Sequence, residues 1–255
     1  MIGGILTNKN RSLVGKRVHT GIPGLDDLIE GGFPENTVNL VAGPTGSAKS
    51  LFGMQFIYAG AKDYGDIGIY LTLEERKENL QKAMRGFGMD GDKYEKNGKL
   101  ILVDVGKIRA KLRSKKNVKK GLVGFGKLQN FLEKFLKSTK AKRLTLDSIT
   151  AAGLYYKETE ILRQELFAFI SFLQDMEITS LLISESVNEA GDKTRYGVEQ
   201  FITDSFINLG LERISGELRR SITIRKMRFT RHNTRVHPLL ITPEGIVIEA
   251  EAEVF

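Results

Sequence analysis

The chain contains no cysteine. Disulfides, thiolate zinc sites and cysteine nucleophiles are therefore excluded. Histidine is scarce: His19, His232 and His237 stand apart and lack a metal-ligand spacing. No run of about 18 or more apolar residues occurs, so no membrane span is expected. The opening stretch MIGGILTNKNRSLVGKRVHTG is too polar, and its apolar run too short, for a secretory signal. A cytoplasmic location is the expectation. Acid is missing from one long stretch. Between Gly106 and Leu132 there is no Asp or Glu, while Lys107, Arg109, Lys111, Arg113, Lys115, Lys116, Lys119, Lys120 and Lys127 all fall there.

What is present suits one α/β domain with a full core. The chain has 255 residues, 41% hydrophobic and 27% charged, with 39 Lys and Arg against 31 Asp and Glu. The net charge of +8 favours anionic partners without identifying one. Strand and helix patterns alternate from residue 37 to residue 186. Strands are read in TVNLVAG, DIGIYLTL, GKLILVDV, AKRLTLDS and ITSLLISES, and helices in AKSLFGMQFIYAGAK, KENLQKAMRGF, KLQNFLEKFLKS and ETEILRQELFAFISFLQDM. A short helix is read in the TGIPGLDDLIEGG segment that precedes them. The alternation predicts a mostly parallel central sheet with helices on both faces. Two strands around Ser215–Gly216 and a hairpin through Pro243–Glu244–Gly245 predict an antiparallel C-terminal extension. Residues 1–16 read as a leader, 17–255 as one domain, and 106–126 as a basic insert broken by Gly121, Gly124 and Gly126.

The segment NLVAGPTGSAKS, residues 39–50, comes close to the phosphate-loop pattern G-x-x-x-x-G-K-[ST]. Gly43, Pro44, Thr45, Gly46, Ser47, Ala48, Lys49, Ser50 and Leu51 are the candidate nucleotide-binding residues. A strand feeds the loop and a helix follows it, so backbone N–H groups can cradle phosphate at the helix N-terminus. Lys49 supplies positive charge to the same oxygens, and the Ser50 hydroxyl would ligate Mg²⁺. Ala48 stands where the second glycine is expected. Its methyl is tolerable at negative φ. It costs on the order of 1–3 kcal/mol if phosphate packs against it, and such misplacement harms turnover more than affinity.

Five blocks resemble the KaiC branch of the RecA/RadA superfamily. TGIPGLDDLIEGGFPENTVNLVAGPTGSAKS is similar to the entry to its ATPase core, LTLEER to its paired catalytic glutamates, and RLTLDSIT to its Walker B strand. RYGVEQFITDSFINL and RKMRFTRHNTRVHPLLITPEGIVI are similar to its last two blocks. The resemblance spans about residues 17–250. It implies a RecA-like P-loop NTPase fold, ATP and Mg²⁺ as ligands, and a homo-oligomeric ring, with a hexamer as the candidate size. Ala48, Asn36 and the basic insert depart from the pattern. Neither a RadA-type N-terminal domain nor an F-x-x-A polymerisation tag is read here.

The resemblance also assigns roles. Asp147 would hold Mg²⁺ through water beside Ser50; as an ordinary residue it would be a helix N-cap. Glu74 and Glu75 would orient the attacking water; otherwise they are first-turn acids that favour a helix dipole. Lys226 and Arg228, with His232 nearby, would reach the γ-phosphate of a neighbouring subunit; otherwise they form a solvated basic edge. Two such cations side by side repel unless an anion lies between them. Ser184 and Glu185 end the fifth strand, where they could sense the γ-phosphate and pass its loss to residues 186–196. The basic insert is either a sequence-blind DNA or RNA contact or a solvated loop. The reading is a slow Mg·ATP hydrolase that regulates assembly or a DNA-related process, with an unknown regulatory protein as a partner. The rivals are a non-hydrolysing nucleotide sensor and a recombinase paralogue acting on single-stranded DNA.

Overall fold

The computed structural model describes residues 15–108, 124–187 and 194–252. Its first element is a small antiparallel ribbon, β1 (Arg17–Val18) with β2 (Phe33–Pro34), enclosing the short helix α1 (Leu25–Leu28). β3 (Val38–Gly43) follows, and all six of its residues are buried. α2 (Lys49–Ala59) comes next and continues into a π-helical turn over Gly60–Tyr64. Then come β4 (Gly68–Thr72), α3 (Lys77–Gly86), α4 (Gly91–Lys96) and β5 (Leu100–Asp104). α5 (Phe125–Thr139), β6 (Arg143–Asp147), α6 (Ile149–Gly153), α7 (Thr159–Asp175) and β7 (Thr179–Glu185) complete the alternating part. α8 (Glu199–Ile202) leads to the strands β8 (Ser205–Ile214), β9 (Glu217–Met227), β10 (Val236–Thr242) and β11 (Gly245–Ile248).

The main sheet has nine strands in the order β11-β10-β9-β8-β3-β7-β6-β4-β5. β8, β3, β7, β6, β4 and β5 pair in parallel. β8, β9, β10 and β11 pair antiparallel, as the turn signals predict. Successive strand residues go to opposite layers because the pleat has period 2. Val41, Tyr70 and Leu181 pack with Phe52, Phe56 and Ile57 of α2. Leu40, Leu71 and Leu182 pack with Leu132 of α5 and with Leu166 and Phe169 of α7. Burial on both faces is why these strands read as unbroken apolar runs.

One buried cation holds the N-terminal ends of the strands. Arg143 is 1% exposed. Its Nε donates to Asp66 at 2.8 Å, and its Nη1 donates to the carbonyls of His19 at 2.7 Å and Phe56 at 3.1 Å. The sequence pattern places Arg143 on a strand but does not show that it is internal. The ribbon β1–β2 and helices α4, α6 and α8 are also absent from the sequence reading, being too short to show a period.

Candidate functional site

β3 ends at Gly43 and the chain turns through Pro44–Ser47 into α2. The two glycines serve different needs. A Cβ on Gly43 would lie 2.5 Å from Ser47 Oγ and 2.6 Å from the Leu209 carbonyl, so this position needs the space. Gly46 has room for a Cβ but sits at φ 88°, so it needs the conformation. Ala48 is the N-cap of α2 at φ 75° and ψ 23°. The negative φ that would make its methyl harmless is therefore not adopted, and a left-handed alanine opens the helix.

The loop faces a cavity of ≈ 360 Å³ lined by Thr45, Gly46, Ala48, Lys49, Ser50, Leu51, Glu74, Asp147, Ser148 and Glu185. Most of the residues expected from the sequence thus meet in one place, at the C-terminal ends of the parallel strands, where open α/β sheets bind ligands. Lys49 Nζ donates to the Pro44 carbonyl at 2.8 Å. Burial lowers the pKa of this amine, and the charges of Glu185, Asp147 and Glu74 oppose that shift. Ser50 Oγ donates to Asp147 Oδ2 at 2.6 Å. The Tyr70 hydroxyl donates to the same oxygen at 2.6 Å. Burial, then the Asp147 charge, pushes the Tyr70 phenol well above its ordinary pKa, so it stays a donor.

The cap of α6 is Ser148, whose Oγ accepts from Ala151 N at 3.3 Å. Asp147 is not a cap, and its carboxylate is left for Ser50 and Tyr70. Ser148 Oγ also donates to Glu74 Oε2 at 3.0 Å, which holds that carboxylate at the cavity. Glu75 does not line the cavity. Its backbone N–H and C=O are both bonded to Thr72 Oγ1, at 2.9 and 3.0 Å. Burial, then the charge of Asp147, raises its carboxyl pKa.

At the end of β7 the paired expectation separates. Glu185 lines the cavity, but Ser184 is buried and its Oγ donates to Glu199 Oε1 at 3.1 Å. Glu199 is fully buried and also accepts from Thr194 Oγ1, Tyr196 N and Val198 N, at 2.7, 3.3 and 3.0 Å. Tyr196 donates its hydroxyl to the Thr150 carbonyl at 2.6 Å, and burial, then Glu199, pushes its pKa to about 12.

Lys226, Arg228 and His232 lie elsewhere. Lys226 Nζ donates to the carbonyls of Gln200, Phe201 and Thr203, at 3.2, 3.2 and 2.6 Å, and so caps α8. Burial, then Arg228, lowers its pKa. β9 ends at Met227, and just beyond it Arg228 Nη1 meets Asp204 Oδ1 at 3.2 Å. The two cations thus repel as expected, and within the chain Lys226 is held by backbone carbonyls and Arg228 by the Asp204 carboxylate. Asp204 N donates to the Val38 carbonyl, at the start of β3, whereas the phosphate loop leaves its end. Five strand steps separate the two, roughly 17 Å. His232 Nδ1 lies 3.3 Å from the Thr230 carbonyl.

Of the basic insert, Lys107 pairs with Glu78 at 2.7 Å on the surface. Residues 109–123, which carry most of that expectation, lie outside the described residues, as do 188–193 of the segment after β7. The sequence reading also missed Arg220. Its Nε donates to the Gly46 carbonyl at 2.9 Å, and only the register of the β8–β9 hairpin brings it there. Tyr70 carried a faint signal, a phenol amid the aliphatic residues of β4.

A profile described as the KaiC ATPase matches residues 18–253. The chain belongs to the KaiC ATPase family. Within the family it is 39% identical over 236 residues to a UPF0273 protein of Thermotoga maritima, covering 91% of this chain and 96% of that one. It is 35% identical over 234 residues to the circadian clock protein KaiC3 of Synechocystis, covering 91% of this chain and 45% of that longer one. A crystal structure of a KaiC-like protein from Pyrococcus horikoshii superposes with a TM-score of 0.78 at 40% identity, covering 92% and 99% of the two chains. The chain is thus a single-domain KaiC-like P-loop ATPase of the RecA superfamily. Family membership implies nucleotide binding.

Proposed function

We propose that this KaiC-family chain binds Mg·ATP in the loop cavity and hydrolyses it slowly at an interface between subunits. The observation that carries this reading is the convergence of Lys49, Ser50, Asp147 and Glu74 on one cavity beside the amide-lined loop. The donor set fits a hard cation, since a hydroxyl and a carboxylate meet 2.6 Å apart at the cavity. Among the described residues no cluster of three or more His, Cys, Asp or Glu side chains could hold a metal unaided. Phosphate oxygens and water would complete the shell. Ser50 and, through water, Asp147 would hold Mg²⁺, which when bound neutralises charge on those oxygens.

Lys49 exchanges the Pro44 carbonyl for the β- and γ-phosphate oxygens. Glu74 orients a water for in-line attack and draws off its proton as the new P–O bond forms and ADP leaves. Lys226 and Arg228 of the same chain sit at the other end of β3 and do not face this cavity. A neighbouring subunit, stacked head to tail, would present them there. Such a contact is heterologous and forms a ring where its rotation closes and a filament where it does not. The exposed Phe201 and Phe167, 66% and 60% accessible, line a groove, the Phe201 carbonyl accepts from Lys226, and the two rings supply apolar area for that contact.

Phosphate release from Mg·ATP tests the reading. The wild-type chain should turn over, and Glu74→Gln should lower the rate roughly 100-fold or more while ATP still binds. A wild-type chain that binds ATP and releases no phosphate would instead be a nucleotide sensor. The left-handed alanine at position 48 is the observation that favours that second reading.

A further inference from the structure

The turn that follows Arg228 is built against its own backbone preference. Phe229 sits at φ 60°, and its ring is 76% exposed, so side-chain packing does not hold it there. The restraint comes from a residue more than 200 positions upstream. Arg17, on β1, donates from Nη2 to the Phe229 carbonyl at 3.1 Å and from Nη1 to Thr230 Oγ1 at 2.7 Å. Its Nη1 also reaches the Gly32 carbonyl at 3.3 Å, which roots the guanidinium in the ribbon. Glu30 completes the clasp. Its Oε2 meets Arg17 Nη2 at 3.3 Å and accepts from Arg231 N at 3.3 Å, while its Oε1 accepts from Arg231 Nε at 3.0 Å. Glu30 is itself left-handed, at φ 56°. Two strained, non-glycine positions therefore face each other across one ion-pair network. Strain of this kind persists only where the surroundings over-determine it, and it collects at working sites. Asn233 N donates to the Leu28 carbonyl at 2.9 Å, so the far end of the turn is pinned to the same segment.

We propose that Arg17 and Glu30 are positioning residues which clamp the turn Phe229–Arg231 and so fix how Arg228 and His232 are presented to the adjoining subunit's triphosphate. The inference rests on the shared-site reading above. It gives the segment ahead of the phosphate loop a task at the opposite face of the subunit from its own loop. Arg228 is anchored before the turn by Asp204 and His232 stands after it, so a relaxed turn changes the spacing between the two cationic groups. Displacements of about 1 Å at such distances cost on the order of 100-fold in rate.

Subunit mixing tests it. Lys49→Ala chains lack the loop lysine but can still lend cations. Arg17→Ala chains should bind ATP with wild-type affinity, yet alone hydrolyse it roughly 10- to 100-fold more slowly. Mixed with Lys49→Ala chains, they should regain activity, because one partner keeps the loop and the other the clamp. Mixed with Lys226→Ala chains, they should regain none. Glu30→Gln, which keeps shape and loses charge, should behave like Arg17→Ala, and Arg17→Lys should recover part of the rate. These two variants carry the test if Arg17→Ala does not fold. The control is Lys226→Ala mixed with Lys49→Ala. Recovery in the control without recovery for Arg17→Ala or Glu30→Gln overturns the clamp and leaves shared sites standing. No recovery in the control overturns shared sites and the clamp with them.

Discussion

At position 48 the backbone adopts φ 75°, a conformation that glycine takes freely and that costs an L-residue about 1–2 kcal/mol. Part of that cost is offset because alanine also restricts the unfolded chain. Ala48→Gly should therefore stabilise the fold by about 0.5–1 kcal/mol, read as a higher urea midpoint at unchanged slope. It should also raise phosphate release, since relaxing the cap lets the loop settle around the γ-phosphate. An unchanged or lower midpoint would show that the alanine is not strained. The motif marked this residue as unusual, but the sign of φ decides what the change does, and that sign is set by how Ser47 and Lys49 are held on either side. Asp147 makes a similar point. Its position at a strand end left two roles open, and the hydroxyl of Ser148, capping α6 at 3.3 Å, settles which residue caps the helix.

Among the elements, α8 has only four residues and depends on one side chain at each end. Glu199 collects four donors at its start, and Lys226 caps its last carbonyls. Glu199→Gln replaces one acceptor oxygen by an NH₂ group in a fully buried site, so at least one donor loses its partner. The expected loss is about 1–3 kcal/mol in chemical denaturation, with the Lys226 cap disordered as a consequence. Arg143 plays a corresponding part at the N-terminal ends of β4 and β6. Arg143→Leu should cost about 2–3 kcal/mol, because two backbone carbonyls lose their donor, while Asp66 is partly exposed and can rehydrate. Stability within 0.5 kcal/mol of wild type would mean that the network is not holding the strand ends. Neither network shows in the hydrophobic pattern, since each joins residues far apart in the chain.

For the whole molecule, the shared-site proposal makes assembly the property to measure, because the loop and the cations lie at opposite ends of β3. Native mass measurement with Mg·ATP should show a closed ring, and Phe201→Asp should release single chains by placing charge in the apolar groove. Lys226→Ala should abolish hydrolysis by roughly 1,000-fold while a single subunit still binds ADP. A chain that stays solitary with Mg·ATP yet hydrolyses it at the wild-type rate would refute shared sites. No helix among the described residues is long and apolar enough to cross a membrane.

Local order alone was enough to determine much of this protein. The alternation of strand and helix, the glycine loop with Lys49 and Ser50, and the family to which these blocks belong are carried by neighbours in the chain, because periodicity and turn chemistry act over a few residues. What the tertiary structure decided are the matters of distance and sign. It turned Ala48 left-handed, freed Asp147 from capping, buried Ser184 away from the cavity, and drew Arg220 to the loop and Arg17 to the turn at Phe229. Each of these depends on contacts between segments that only packing brings together, and pairing of that kind leaves no periodic trace in the sequence.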